Sequence, residues 1–78
     1  MTAVDRDLET WLRDRLAASA TADPAAAARA LGDEDGLREP ARRAARRIVA
    51  TGDADATQRG RVVDPGTARG PFELRRRP

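Results

Sequence analysis

The sequence predicts a small α+β domain in which three helices precede a short antiparallel sheet. Apolar residues recur at helical spacing as far as Gly52, whereas turn residues and short alternating segments follow from Asp53 onwards. The chain has 78 residues, so we expect one domain covering residues 1–78.

The first helix is predicted over residues 3–19. Thr2 and Asp5 have the three-residue spacing of a capping box, with Asp in place of the commoner Glu. In a chain with one Trp and one Phe, we expect Trp11 to be a core residue. An apolar stripe at helical spacing runs along this helix through Val4, Leu8, Trp11, Leu12 and Leu16.

The second helix is predicted over about residues 24–31. Asp23 suits the N-cap, and Pro24 suits the first helical position, where its missing N–H costs nothing. Gly32 is the expected stop. Residues 19–23 are interpreted as a connection between the two helices.

The third helix is predicted to be amphipathic and to end at Gly52. Its apolar face contains Leu37, Ala41, Ala44, Ala45 and Ile48. The opposite face carries four guanidinium groups with no acid among them, on Arg42, Arg43, Arg46 and Arg47. Since like charges four residues apart destabilise a helix, this face favours an anionic partner over a merely solvated surface.

A β-hairpin is predicted from residues 54–58 and 61–64. The link at residues 59–60 is an Arg-Gly pair, and a two-residue link ending in Gly is a hairpin signal. This register places Thr57 opposite Val62.

A third short strand is predicted over residues 72–75, where apolar and charged residues alternate. Between it and the hairpin, Asp64 begins a turn and is expected to accept hydrogen bonds from the N–H groups of that turn. Residues 75–78 are predicted to form a basic tail.

The order of these elements is typical of a winged helix, in which the third helix lies in the DNA major groove and the hairpin is the wing. Residues 57–65 (TQRGRVVDP), residues 68–71 (ARGP) and the pair at 74–75 resemble the C-terminal signature of a family of small bacterial proteins known as a domain of unknown function. The resemblance covers about residues 22–76. It implies a compact winged helix and brings no established activity.

The chain departs from that family pattern at two places. It has Glu34-Asp35 where members have a Trp-Arg pair entering the third helix. It also has Ala54 and Ala56 where members have larger aliphatic residues, which implies a thinner core. Within the signature, Arg69 is expected to pair with an acid of the same region, either Asp64 or Glu73.

The composition argues against an enzyme. The chain has no His, Cys, Lys or Tyr, so no side chain has an ordinary pKa between the carboxylates and arginine. Acid–base catalysis near neutral pH and thiolate or imidazole metal sites are therefore not expected. We expect no cofactor and no bound metal ion.

Charge is divided unevenly along the chain. Residues 1–39 carry a net charge of −4 and residues 40–78 a net charge of +6. The leading hypothesis is a nucleic-acid-binding module, chiefly for double-stranded DNA and of low sequence specificity. The predicted contacts are Arg42, Arg43, Arg46 and Arg47 on the third helix, and Arg59 and Arg61 on the wing.

The alternative is a protein–protein interaction module with no nucleic-acid binding, including a homodimer anchored by Trp11. No apolar run reaches the length of a membrane span, so we expect no membrane partner. The N-terminus is charged and lacks a signal sequence, so a cytoplasmic location is expected.

Overall fold

The computed structural model describes all 78 residues and contains three helices and four strands. The helices come first, apart from one short strand, and the remaining strands complete an antiparallel sheet. This is the predicted α+β fold in a winged-helix-like arrangement. The elements are α1 (Ala3–Ser19), β1 (Thr21–Ala22), α2 (Pro24–Ala30), α3 (Arg38–Ala50), β2 (Ala54–Gln58), β3 (Arg61–Val63) and β4 (Glu73–Arg76).

The first two helices begin with the predicted caps. The Asp5 N–H donates to Thr2 Oγ1 at 3.1 Å, and the Thr2 N–H donates to Asp5 Oδ2 at 3.2 Å. These reciprocal bonds satisfy amides that have no partner inside a helix. At α2, the Ala25 N–H donates to Asp23 Oδ1 at 2.9 Å, and Pro24 occupies the first helical position.

The hairpin of residues 54–63, hereafter the wing hairpin, has the predicted register. Thr57 lies opposite Val62, and Gln58 opposite Arg61 closes a two-residue turn. Arg59 has φ 53° and Gly60 has φ 79°. Positive φ at both central residues is what a type I′ turn requires, and this turn matches the natural twist of the two strands.

The sheet order is β1-β4-β2-β3, which the sequence did not reveal. The segment interpreted as a connection contains β1, which pairs with β4 through Ala22 opposite Leu74. A two-residue strand is too short to show alternation, so only its partner identifies it. Strand β4 then lies between β1 and β2, with Leu74 also opposite Ala56.

The segment predicted as a basic tail is largely held to the domain. Arg76 belongs to β4, and its guanidinium donates to the carbonyl oxygens of Leu16 at 3.2 Å and Ala17 at 3.1 Å. Both carbonyls lie in the last turn of α1, at the negative end of the helix dipole, so a cation is favoured there. Arg77 pairs with Asp55 at 2.8 Å.

Small residues dominate the core. Its fourteen buried hydrophobic residues include eight alanines, contributed by both the helices and the sheet. On α3 the residues of the predicted apolar face from Ala41 to Ile48 are fully buried. The core consists of Leu8, Leu12, Leu16, Ala22, Ala27, Ala28, Ala41, Ala44, Ala45, Ile48, Ala54, Ala56, Phe72 and Leu74.

Trp11 is not a core residue, contrary to the expectation. It is partly buried and packs against the edge of the core. The buried stripe of α1 runs through Leu8, Leu12 and Leu16, four residues apart, and Trp11 lies at the flank of that stripe. None of the helices is both long and apolar enough to span a lipid bilayer.

Replacing Leu12 with Ala should unfold the domain. Leu12 is fully buried, such truncations cost about 2–5 kcal/mol, and a core of this size supplies about 3–5 kcal/mol in total. Trp11→Ala should lower the melting temperature and leave a cooperative transition, which circular dichroism would show. A larger effect from Trp11→Ala than from Leu12→Ala would contradict this placement of the two side chains.

Candidate nucleic-acid interface

Arg42, the first arginine of the predicted contact face, makes its hydrogen bonds within the protein. Its guanidinium donates to the carbonyl oxygens of Gly70 at 2.8 Å and Ala68 at 3.1 Å. It also lies over the ring of Phe72, 4.7 Å from the ring centroid, which is within cation–π range. Arg42 therefore ties α3 to the segment that leads into β4.

Gln58 holds the same segment through the carbonyls that Arg42 leaves free. Its Nε2 donates to the carbonyl oxygens of Arg69 at 2.6 Å and Pro71 at 3.1 Å. Four successive carbonyls, those of residues 68–71, thus accept hydrogen bonds from two side chains. We call this arrangement the carbonyl clamp. Since Gln58 is the only amide side chain in the protein, the clamp also occupies the one group suited to reading adenine.

Arg46 and Arg47 have acidic partners, so the expectation of an uncompensated arginine face is wrong for this pair. Arg46 bonds Glu39 at 2.9 Å, and Arg47 bonds Glu9 of α1 at 2.9 Å. Glu39 lies two turns before Arg46 on α3, a spacing that is visible in the sequence. Glu9 reaches Arg47 only because α1 packs beside α3, which no local pattern reveals.

Glu9 is the centre of a charge network that joins α1 to the start of the sheet. It also bonds Arg13 at 3.1 Å, and Arg13 in turn bonds Asp53 at 2.7 Å. The hydrogen bond from Arg47, more than that from Arg13, holds the pKa of Glu9 below its ordinary value of 4.5. The hydrogen bond from Arg13 likewise lowers the pKa of Asp53.

Of the predicted contacts, three remain available to a partner: Arg43 on α3, and Arg59 and Arg61 at the turn of the wing hairpin. All three side chains are exposed, and none has an acceptor within the chain. The structure brings Arg59 and Arg61 together at one end of the sheet. None of the five arginines of α3 lines that place.

An open cleft of about 1080 Å³ lies at this end of the sheet, between the wing hairpin and residues 69–73. Arg59, Arg61 and Arg69 line it, together with two acids, Asp23 and Glu73. We call it the basic cleft. Arg69 was not among the predicted contacts. The only feature of the sequence that marks it is the Arg-Gly-Pro motif at residues 69–71.

The expected pairing of Arg69 with Asp64 or Glu73 is absent. Asp64 instead accepts a hydrogen bond from the Gly66 N–H at 2.8 Å, which is the predicted turn role. Gly70 has φ 76°, a conformation that suits glycine and directs the chain into β4. Every buried side-chain nitrogen and oxygen in the protein has a hydrogen-bond partner.

The fold and this surface together define a small winged-helix-like α+β domain with an arginine-lined cleft at the tip of its sheet. The chain belongs to a family of proteins of unknown function (DUF3253), whose sequence model matches residues 2–77. The match takes in α1, which the resemblance over residues 22–76 did not cover. No curated protein matches the sequence.

Replacing Arg42 with Ala should destabilise the protein by about 1–2 kcal/mol, because two charge-assisted hydrogen bonds and a cation–π contact are lost. Arg43→Ala is the matched control, one position along the same helix, and should change stability little. Urea unfolding followed by circular dichroism measures both. Equal effects from the two substitutions would show that the carbonyl clamp is not a stabilising contact.

The Glu9 network should make the protein acid-sensitive. Because the pKa of Glu9 is lower in the folded chain, its stabilising contribution is present above about pH 4.5 and is lost as the pH falls through the folded value. Glu9→Gln should therefore flatten the dependence of melting temperature on pH below about pH 5. Asp14→Asn, at an exposed α1 carboxylate with no partner, should leave that dependence unchanged; the same flattening there would exclude the network as its source.

Proposed function

We propose that this domain binds nucleic acid, chiefly double-stranded DNA, and that the wing hairpin makes the principal contacts with the phosphate backbone. The observation that carries this proposal is the state of Arg59 and Arg61. Both are exposed, and neither has an acceptor within the chain; Arg59 lies in the two-residue turn and Arg61 directly follows it. A guanidinium presented in this way suits a phosphate oxygen.

The role of α3 is smaller in this proposal than the sequence suggested. Arg38, Arg42, Arg46 and Arg47 are engaged within the chain, which leaves Arg43 as the unpaired arginine of the helix. These arginines would have to give up their contacts within the chain to reach DNA. We therefore assign the main electrostatic contact to the wing hairpin and a supporting contact to Arg43.

Sequence specificity should be low. The chain has no Asn, and Gln58 is committed to two carbonyl oxygens. Bidentate recognition of adenine depends on an amide side chain, and the protein has no free amide side chain to make this contact. The proposal is one of binding and not of catalysis, since the chain has no His, Cys, Lys or Tyr to act as base or nucleophile.

A protein-interaction module is the second candidate, and one observation favours it. Strand β3 lies at the edge of the sheet, and Val62 on this strand is 59% exposed. An edge strand with an exposed valine can accept a further strand from a partner. Absence of duplex binding at low salt would favour the protein-interaction module over nucleic-acid binding.

The salt dependence of duplex binding tests the proposal. With about three phosphates neutralised, the logarithm of the binding constant should fall against the logarithm of salt concentration with a slope of about −3. Replacing Arg59 and Arg61 together with Gln should reduce that slope by about two. Fluorescence anisotropy with a random-sequence duplex at several salt concentrations measures it.

The matched control replaces Arg6 and Arg15 with Gln. Both are exposed arginines of α1 without an acceptor, so the control removes the same charge from a different surface. It should leave the slope nearly unchanged. Equal reductions of the slope in the two double variants would mean that binding follows net charge alone and that the wing hairpin makes no particular contribution.

A further inference from the structure

The basic cleft holds three arginine side chains that have no acceptor within the chain: Arg59, Arg61 and Arg69. Two acids also line it, and neither forms an ion pair with these arginines, although both carboxylates keep their negative charge. Asp23 is occupied as the N-cap of α2, where it accepts from the Ala25 N–H at 2.9 Å. Glu73 forms no ion pair. The cleft thus carries an excess of positive charge.

Several arginines elsewhere in the protein have carboxylate partners. Glu9 serves Arg13 and Arg47, and Asp55 serves Arg77. The chain has 13 acids, so carboxylates are plentiful, yet none pairs with an arginine of the basic cleft. The three arginines outnumber the two carboxylates of the lining, and an anion from outside the chain would be attracted to this excess of positive charge.

The backbone that carries these arginines is held in place. Arg69 accepts a hydrogen bond from Gln58 at its own carbonyl oxygen, and the neighbouring carbonyls of Ala68 and Gly70 are held by Arg42. Arg59 belongs to the two-residue turn of the wing hairpin. Contacts made from a fixed backbone lose less conformational entropy on binding, so such a site is preorganised.

The chemistry of the cleft selects phosphate and not bases. The guanidinium fork matches phosphate oxygens, and three such groups can engage several phosphates along a backbone. Base stacking needs an exposed aromatic ring, whereas Phe72, the one aromatic residue lining the cleft, is only 3% exposed. The ligand must therefore be recognised by its phosphate groups.

We propose that the basic cleft is the binding site for the DNA backbone and that Arg69 is a third phosphate contact, acting with Arg59 and Arg61. This inference rests on the proposed function and names the surface that performs it. The partner is a run of phosphodiester groups on one strand of a duplex, held without regard to base sequence. Arg69 thereby gains a binding role that its place in a turn motif did not indicate.

Arg69→Gln in the full chain tests this assignment. The Arg69 side chain is exposed and makes no hydrogen bond or ion pair within the protein, so the fold should be kept, and a thermal melt checks it. The substitution should weaken binding to a random-sequence duplex several-fold at low salt and reduce the salt slope by about one. Arg69→Lys, which keeps the charge, should restore the slope.

Arg75→Gln is the matched control. Arg75 is an exposed arginine of β4 without an acceptor, and it does not line the cleft. A second measurement needs no substitution: modification by phenylglyoxal, read by mass spectrometry, should be slower at Arg69 than at Arg75 when the duplex is present. Tripolyphosphate in place of the duplex separates a site for free polyphosphate from one for a nucleic-acid backbone.

The outcomes separate this inference from the proposed function. Loss of one unit of slope in Arg69→Gln, retention in Arg75→Gln and protection of Arg69 by the duplex support the inference. A normal slope in Arg69→Gln, with a reduced slope in the Arg59 and Arg61 double variant, overturns the inference alone. Protection by tripolyphosphate and not by the duplex overturns it too. No duplex binding by the unmodified protein overturns the proposed function as well.

Discussion

The rest of the structure depends on a core in which more than half of the residues are alanine. Alanine buries little apolar area, so the core contributes little per residue and contacts outside it add to the packing. Arginine side chains supply them. Arg47 joins α3 to α1, Arg42 joins α3 to the segment before β4, and Arg76 joins β4 to the end of α1. Each of these links connects elements that are distant in sequence.

This use of arginine divides the basic residues into two groups with different roles. One group donates to carboxylates and carbonyl oxygens within the chain and is part of the fold. The other group is exposed, lacks acceptors and is concentrated in part at the basic cleft, where Arg59, Arg61 and Arg69 meet. The positive charge of the second half of the chain is therefore only partly available to a partner. The net charge by itself therefore overestimates the number of arginines that can contact a partner.

Local patterns in the sequence were sufficient for the helices and the hairpin. Thr2 with Asp5 and Asp23 with Pro24 fix two helix starts by bonds that span three residues or fewer. The Arg59-Gly60 pair fixes the hairpin register because its turn type allows only one. Such features depend on neighbouring residues, so a sequence displays them directly.

The parts that could not be predicted depend on contacts between distant residues. Strand β1 exists only because β4 pairs with it, and Arg47 is neutralised by an acid 38 positions away. The carbonyl clamp uses backbone oxygens, which every residue has and which leave no mark on the sequence. For the same reason the sequence did not show that Arg42 is engaged in the fold whereas Arg43 is exposed.

The most direct test of this division is the NMR spectrum of the arginine Nε–Hε groups, recorded with and without a short DNA duplex. Without DNA, Arg42 and Arg47 are expected to be rigid, whereas Arg59, Arg61 and Arg69 are expected to be mobile. On addition of duplex, the cleft arginines should become ordered and shift, and Arg42 and Arg47 should stay unchanged. Shifts confined to Arg42 and Arg47, with the cleft arginines still mobile, would contradict this division.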